Sequence, residues 1–124
     1  MAERVSKAEM QLLEQMWRLG PASVREIQES LPEEKRPAYT TVQTMVNRLE
    51  AKNAVRRTRK IGNALIFEAV LTREAAYRRV MRELLEMFGG SAEPVVSHLV
   101  ETGKLSLEDV RELERRLVLR GKKA

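Results

Sequence analysis

Residues 39–52 hold side chains whose chemistry is recognition rather than reaction. On a 3.6-residue period Thr40, Thr41, Gln43, Thr44, Asn47, Arg48 and Ala51 fall on one side of a helix, and Val42, Met45, Val46 and Leu49 on the other. The first set offers hydroxyls, planar amides and one guanidinium, with none of the Glu–Lys pairing of an ordinary solvated helix. Such groups hydrogen-bond to flat polar edges and to phosphate oxygens. Just beyond them, Arg56, Arg57, Arg59 and Lys60 stand in a β-compatible run over residues 55–60. Residues 35–63 thus carry eight basic side chains (Lys35, Arg36, Arg48, Lys52, Arg56, Arg57, Arg59 and Lys60) against one acid, Glu50. The preceding 34 residues hold four basic and seven acidic groups, and the chain's total is only +5. Charge serving solubility alone would be spread more evenly, so a block of this kind suits a polyanion.

Other chemistries lack their parts. There is no cysteine and a single histidine, His98, which reads as a partly buried helical residue rather than a ligand. No Ser/His/Asp set, phosphate-cradling glycine loop or HExxH motif occurs, so neither catalysis, a metal nor a cofactor is expected. Glu83 with Glu86, and Glu108 with Asp109 and Glu112, lie beside arginines and read as surface ion pairs, Glu112 and Arg116 being four apart. Trp17 and the methionines fall on apolar stripes and read as packing. The longest aliphatic or aromatic run is Ala64-Leu65-Ile66-Phe67, and the first 18 residues are charged and amphipathic. Neither a leader nor membrane insertion is therefore expected, and a cytoplasmic location, with which the lack of cysteine is compatible, is the expectation.

The elements that must position the recognition groups are marked by caps and breakers. Composition, 43% hydrophobic and 33% charged, fits an ordered helical protein. Ser6–Glu9 and Ser23–Glu26 are capping boxes. The first opens a helix with Met10, Leu13 and Trp17 on one face and Leu12, Met16 and Leu19 alongside, stopped by Gly20-Pro21. The second opens a short helix with Val24, Ile27 and Leu31 inward, and Leu31-Pro32 and Arg36-Pro37 bracket a polar loop. The recognition helix follows, with Asn53 as its left-handed cap. Gly62-Asn63 then turns a hairpin in which Leu65, Phe67 and Ala69 alternate inward. Thr72 caps a long helix over residues 73–88, whose apolar face is Tyr77, Val80, Met81, Leu84, Leu85 and Phe88. After Gly89-Gly90, a helix over residues 94–102 presents Val95, Val96, Leu99 and Val100. Ser106 caps a last helix with Val110, Leu113 and Leu117 inward, and residues 120–124 are expected to fray.

Helix, helix, helix, basic hairpin is the order of a winged helix-turn-helix, here over residues 1–71, in a chain that is mostly α with a small β-hairpin. Its expected partner is double-stranded DNA. Thr40 and Thr41 would meet phosphate at the helix N-terminus, and Gln43, Thr44, Asn47 and Arg48 would face base edges. Arg56, Arg57, Arg59 and Lys60 would lie along phosphates, with Arg25, Tyr39 and Asn63 completing the interface. Residues 72–124 carry three apolar stripes too short to be stable alone, and these predict a helical dimerisation region. A homodimer would set two recognition helices on half-sites of a pseudo-palindrome.

The run Ala38-Tyr39-Thr40-Thr41-Val42-Gln43-Thr44-Met45-Val46-Asn47-Arg48-Leu49 with Val55-Arg56-Arg57, the Phe88-Gly89-Gly90 break, and Leu105-Ser106-Leu107-Glu108-Asp109-Val110-Arg111-Glu112-Leu113 resemble the penicillinase-repressor family of bacterial regulators, the BlaI/MecI group. The resemblance covers nearly the whole chain. It implies a dimeric repressor removed from its operator by regulated proteolysis, which a membrane-embedded zinc metalloprotease sensor initiates, commonly in response to a β-lactam. The family's Asn-Phe cleavage point corresponds here to His98-Leu99. Its copper-responsive branch uses a C-terminal cysteine cluster, and this chain has none. Glu68-Ala69-Val70 also departs from the aromatic-rich ending common after the wing. Two other readings stay open: a winged-helix regulator that a small molecule releases from DNA, and a winged-helix protein-interaction module.

Overall fold

A computed structural model describes residues 4–123. The elements run α1 (Lys7–Leu19), β1 (Ala22–Ser23), α2 (Val24–Ser30), a 3-10 turn (Glu33–Lys35), α3 (Tyr39–Ala51), β2 (Val55–Ile61), β3 (Ala64–Ala69), α4 (Arg73–Met87), α5 (Glu93–Glu101) and α6 (Leu107–Lys123). Two compact units divide within α4, one ending at Arg82 and the other beginning at Glu83.

In the first unit the capping boxes form as their spacing requires. Glu9 N–H donates to Ser6 Oγ at 3.1 Å while Ser6 N–H donates back to Glu9 Oε1 at 2.9 Å, and Ser23 and Glu26 repeat the exchange. The helices then close over one core. Leu12, Leu13 and Met16 of α1, Ile27 of α2, Val42, Val46 and Leu49 of α3, and Phe67 of β3 are all but fully buried. Truncating any of the leucines here would cost about 2–5 kcal/mol. Trp17 sits at the rim of this core, donating from Nε1 to the Leu71 carbonyl at 2.8 Å.

The sheet is antiparallel with strand order β1-β3-β2. Its hairpin turns on Gly62 and Asn63, with only Gly62 at positive φ (61°), which suits a glycine in the first of two turn positions. Two features depart from expectation. Strand β1 was not foreseen, because two residues show no periodicity. Phe67 is buried and Ala69 half-buried against the core as expected, but Leu65 on the same face is exposed and Ile66 on the opposite face is buried. The strand keeps its alternation, since the bulge lies in β2 alone: β2 pairs Arg57 with Phe67 and Arg59 with Ile66, leaving Thr58 as the extra residue. Ile66 is covered where Ser23 of β1 and Thr58 both meet it, whereas Leu65 lies nearer the hairpin end.

The C-terminal unit has a different character. Gly89 and Gly90 both take positive φ, and Gly90 N–H closes the end of α4 onto the Leu85 carbonyl at 2.8 Å. Ser106 caps α6 reciprocally with Asp109, whose carboxyl is held below its ordinary range by the Ser106 backbone N–H and hydroxyl. None of its described residues is buried. The expected fraying of residues 120–124 is not seen for 120–123, which continue α6, since nothing in Leu117 to Arg120 breaks the helix; Ala124 lies outside the described residues.

One buried charge joins the ends of two helices in the first unit. Lys52, at the C-terminus of α3, donates to both oxygens of Glu9 at 2.7 and 3.0 Å and to the Arg4 carbonyl at 2.7 Å. Burial pushes the Glu9 carboxyl up, but Lys52 and Ser6 outweigh it and hold the carboxyl below its ordinary range. A carboxyl lowered in the folded state adds stability above its unfolded pKa and loses it as pH falls through the folded one. Lys52→Met should therefore cost about 3 kcal/mol at neutral pH, where it strands a buried carboxylate. In urea titrations that penalty should shrink in acid, as Glu9 protonates; a pH-independent penalty would refute the pairing.

Candidate nucleic-acid interface

The N-terminus of α3 is open. Its cap residue, Ala38, offers no side-chain acceptor, and the N–H groups of Tyr39 and Thr40 have no acceptor among the described residues. Both α1 and α2 are closed by capping boxes, so α3 forgoes about 1 kcal/mol that a serine at position 38 would supply. Free N–H groups and the helix dipole together make a place for an anion.

Along the helix Thr40, Thr41, Thr44, Asn47 and Arg48 are exposed, and Gln43 is half-buried. Thr44 Oγ1 donates to the Thr40 carbonyl at 2.9 Å, and Gln43 Nε2 donates to Asn47 Oδ1 at 3.3 Å. The two amides thus form an ordered pair four residues apart. The Arg25 guanidinium lies 5.4 Å from the Tyr39 ring centroid, tying the start of α2 to the start of α3. Between Arg25, Tyr39, Gln43 and the hairpin residues Ile61, Asn63 and Leu65 lies an open groove of about 530 Å³.

The basic block proves to be several populations. Arg36 donates to the Glu29 carbonyl at 2.8 Å and the Leu31 carbonyl at 3.0 Å, closing the end of α2. Lys52 is held by Glu9. Arg56 Nε bonds Glu68 at 2.7 Å, and Arg57 Nε bonds Glu50 at 2.8 Å. Lys35, Arg48, Arg59 and Lys60 have no ion partner among the described residues. The bulge also sorts the wing by face, since cross-strand partners share one. Arg57 and Lys60 stand with Phe67 and Leu65, while Arg56 and Arg59 stand with Glu68 and Ile66. Sequence reasoning missed Glu50 and Glu68 as partners. Glu50 was visible as the block's one acid; Glu68 depends on a register that no spacing reveals.

The expected dimerisation residues lie as follows. Tyr77 is engaged in its own chain: its hydroxyl donates to Glu14 at 2.7 Å and its ring meets Trp17 edge-on at 6.3 Å. The Glu14 bond pushes the Tyr77 hydroxyl's pKa up. Val80, Met81, Leu84, Phe88, Val96, Val100, Val110, Leu113 and Leu117 are exposed, and Leu85, Val95 and Leu99 are half-buried. His98 is exposed rather than partly buried, because the small unit around α5 buries nothing. Among the described residues no group of carboxylates, histidines or cysteines could hold a metal, and no helix is long and apolar enough to cross a membrane.

The family model for the penicillinase repressor matches residues 5–118. The chain belongs to the penicillinase repressor family. It is thereby a DNA-binding transcriptional regulator. The solution structure of the DNA-binding domain of the repressor BlaI aligns with a TM-score of 0.53 and 21% identity over 60% of this chain and 90% of that one. The crystal structure of the YusO protein from Bacillus subtilis aligns with a TM-score of 0.52 and 20% identity over 97% and 77%. Likeness at these identities is one of fold, the winged helix. No curated protein sequence matches the chain.

The sorting of cations yields a paired expectation. Arg48→Ala should weaken duplex binding and flatten the slope of log K against log salt by about 0.9, one released counterion. Arg36→Ala should leave that slope alone and instead lower stability by about 1–2 kcal/mol, since it uncovers carbonyls at the end of α2. Salt-titrated fluorescence anisotropy and thermal melts separate the two; equal slopes in both variants would refute the division.

Proposed function

We propose that the chain represses transcription as a homodimer seated on a pseudo-palindromic operator and that proteolysis within its tail relieves the repression. The observation that carries this reading is the pairing of an open, uncapped recognition helix with a tail whose apolar stripes are uncovered in a single chain. The N-terminus of α3 would take a phosphate on the N–H groups of Tyr39 and Thr40. Gln43, Thr44, Asn47 and Arg48 would then face base edges in the major groove, with Thr41 beside them. Lys60, on the wing face it shares with Arg57, would reach phosphate, and Arg25 and Asn63 would flank the groove between wing and helix.

Val80, Met81, Leu84, Phe88, Val96, Val100, Val110, Leu113 and Leu117 supply apolar surface for a second copy. On this reading the two α3 helices address successive turns of one face of the duplex, about 10 bp apart or a multiple of that. Linking two weak half-site contacts raises affinity by about 10²–10⁴ over either alone.

Relief by cutting fits the same arrangement. The family's cleavage point corresponds to His98-Leu99 in α5, whose nine residues include no buried one. Such a helix opens locally at low cost, as a protease requires of an extended substrate. Cutting there removes the rest of α5 and all of α6, and with them Leu99, Val100, Val110, Leu113 and Leu117. The corresponding protease would be a membrane metalloprotease sensor.

Two measurements test the proposal. Selection from a random duplex pool should return an inverted repeat, bound in a salt-dependent manner, while sedimentation of the free protein should give twice the chain mass. A chain ending at His98 should sediment as a monomer and bind the selected repeat at least about 10²-fold more weakly. Recovery of no preferred sequence, or full affinity in the truncated monomer, would sink the reading.

A further inference from the structure

The single acid of the basic block, Glu50, sits where it can govern how strongly the protein grips DNA of any sequence. We propose that Glu50 is an internal counterion that cancels Arg57 and so limits the sequence-independent part of the affinity. The proposal rests on the DNA-binding reading above.

Arg57 stands on the face of β2 shared with Phe67, its guanidinium 5.8 Å from that ring's centroid. Its Nε donates to Glu50 Oε2 at 2.8 Å, which fixes the guanidinium between α3 and the wing, while its terminal nitrogens engage no other described group. The two side chains are 52% and 31% exposed, so the carboxylate accompanies the guanidinium to the surface. A phosphate approaching Arg57 therefore meets a neutral pair rather than a cation. Sequence-independent binding is electrostatic and grows with each phosphate that a protein charge neutralises. A pair carrying no net charge adds little to it. Base-edge contacts from Gln43 to Arg48 are untouched by this cancellation.

The pair on the other face of the wing supplies an internal comparison. Arg56 is bonded to Glu68 across the strands, and cross-strand register sets both on the face that Arg57 does not occupy. Placement, not the count of acids, is what the proposal invokes. Glu68 should be silent in DNA binding although it is equally a wing carboxylate.

The test is a charge cycle on the full chain, read as log K against log salt with a duplex of random sequence and with a repeat selected by the wild-type protein. Glu50→Gln keeps an acceptor for the Arg57 N–H and removes the charge. It should steepen the slope by about 0.9 per bound chain and raise random-duplex affinity about fivefold at 0.15 M relative to 1 M salt. Arg57→Gln should flatten the slope by a similar amount, and the double variant should return to the wild-type slope, because the native pair is already neutral. Glu68→Gln should leave the slope unchanged. An unchanged or flatter slope in Glu50→Gln, a double variant flatter than wild type, or an equal effect from Glu68→Gln would each overturn the proposal. Absence of salt-dependent binding by the wild-type protein would instead refute the DNA-binding reading itself.

Discussion

The orientation of α3 depends on a buried carboxylate. Glu9 closes the first turn of α1 through Ser6 and accepts both hydrogen bonds from Lys52 at the end of α3. A charge so placed is tolerable only while fully paired, so any rotation of α3 relative to α1 strands it. Lys52 completes the lock by bonding the Arg4 carbonyl. The other end of α3 is held more lightly, by Gln28 Nε2 donating to the Pro37 carbonyl at 3.0 Å and by Arg25 against Tyr39. Neither contact occupies the N–H groups at the helix start. The helix is thus fixed from behind and from its far end, and its first turn stays free.

That arrangement explains where stability has been forgone. A capped α3 would be more stable, and an outer face of Glu–Lys pairs would gain a few tenths of a kcal/mol per pair. The chain instead keeps hydroxyls, amides and Arg48 exposed on a helix whose other face, Val42, Val46 and Leu49, carries the packing. Local propensity and tertiary packing disagree only along this one strip, as expected where a surface serves a ligand rather than the fold. The basic block follows the same economy. Half of its members are internally committed, so the field the surface presents is weaker and more localised than the residue count suggests.

Legibility in the sequence followed the range of the interactions. Both capping boxes, the α3 stripe, the left-handed Asn53 and the Gly62 turn are set by residues each no more than four positions from the next, and all were readable. Strand β1 was not, because two residues carry no period. The exposure of Leu65 and the burial of Ile66 were not, because alternation does not tell which residues neighbouring strands cover: Ser23 and Thr58 meet Ile66, while Leu65 stands next to the turn. The partners of Lys52 and Arg56 were hidden because they lie far along the chain, Glu9 being 43 positions from Lys52 and Glu68 12 from Arg56. Tyr77 shows a subtler limit. Periodicity correctly put it on the apolar face of α4, yet it cannot tell which neighbour meets each residue of that face, and here Trp17 and Glu14 meet Tyr77.

The two units stand in different thermodynamic positions. The first buries a continuous core and can stand on its own contacts. The second, from Glu83 onward, has apolar stripes but no buried residue among those described. Helices of nine and 17 residues draw little stability from propensity, so their persistence must come from covering those stripes. On the proposed reading a second copy provides the cover, and folding of the tail and association become one equilibrium. DNA occupancy would then respond to protein concentration more steeply than a monomer's would. A cut in α5 would act by removing stripe rather than by touching the DNA surface. The recognition helix would keep its geometry, locked by Glu9 and Lys52, and lose only its mate.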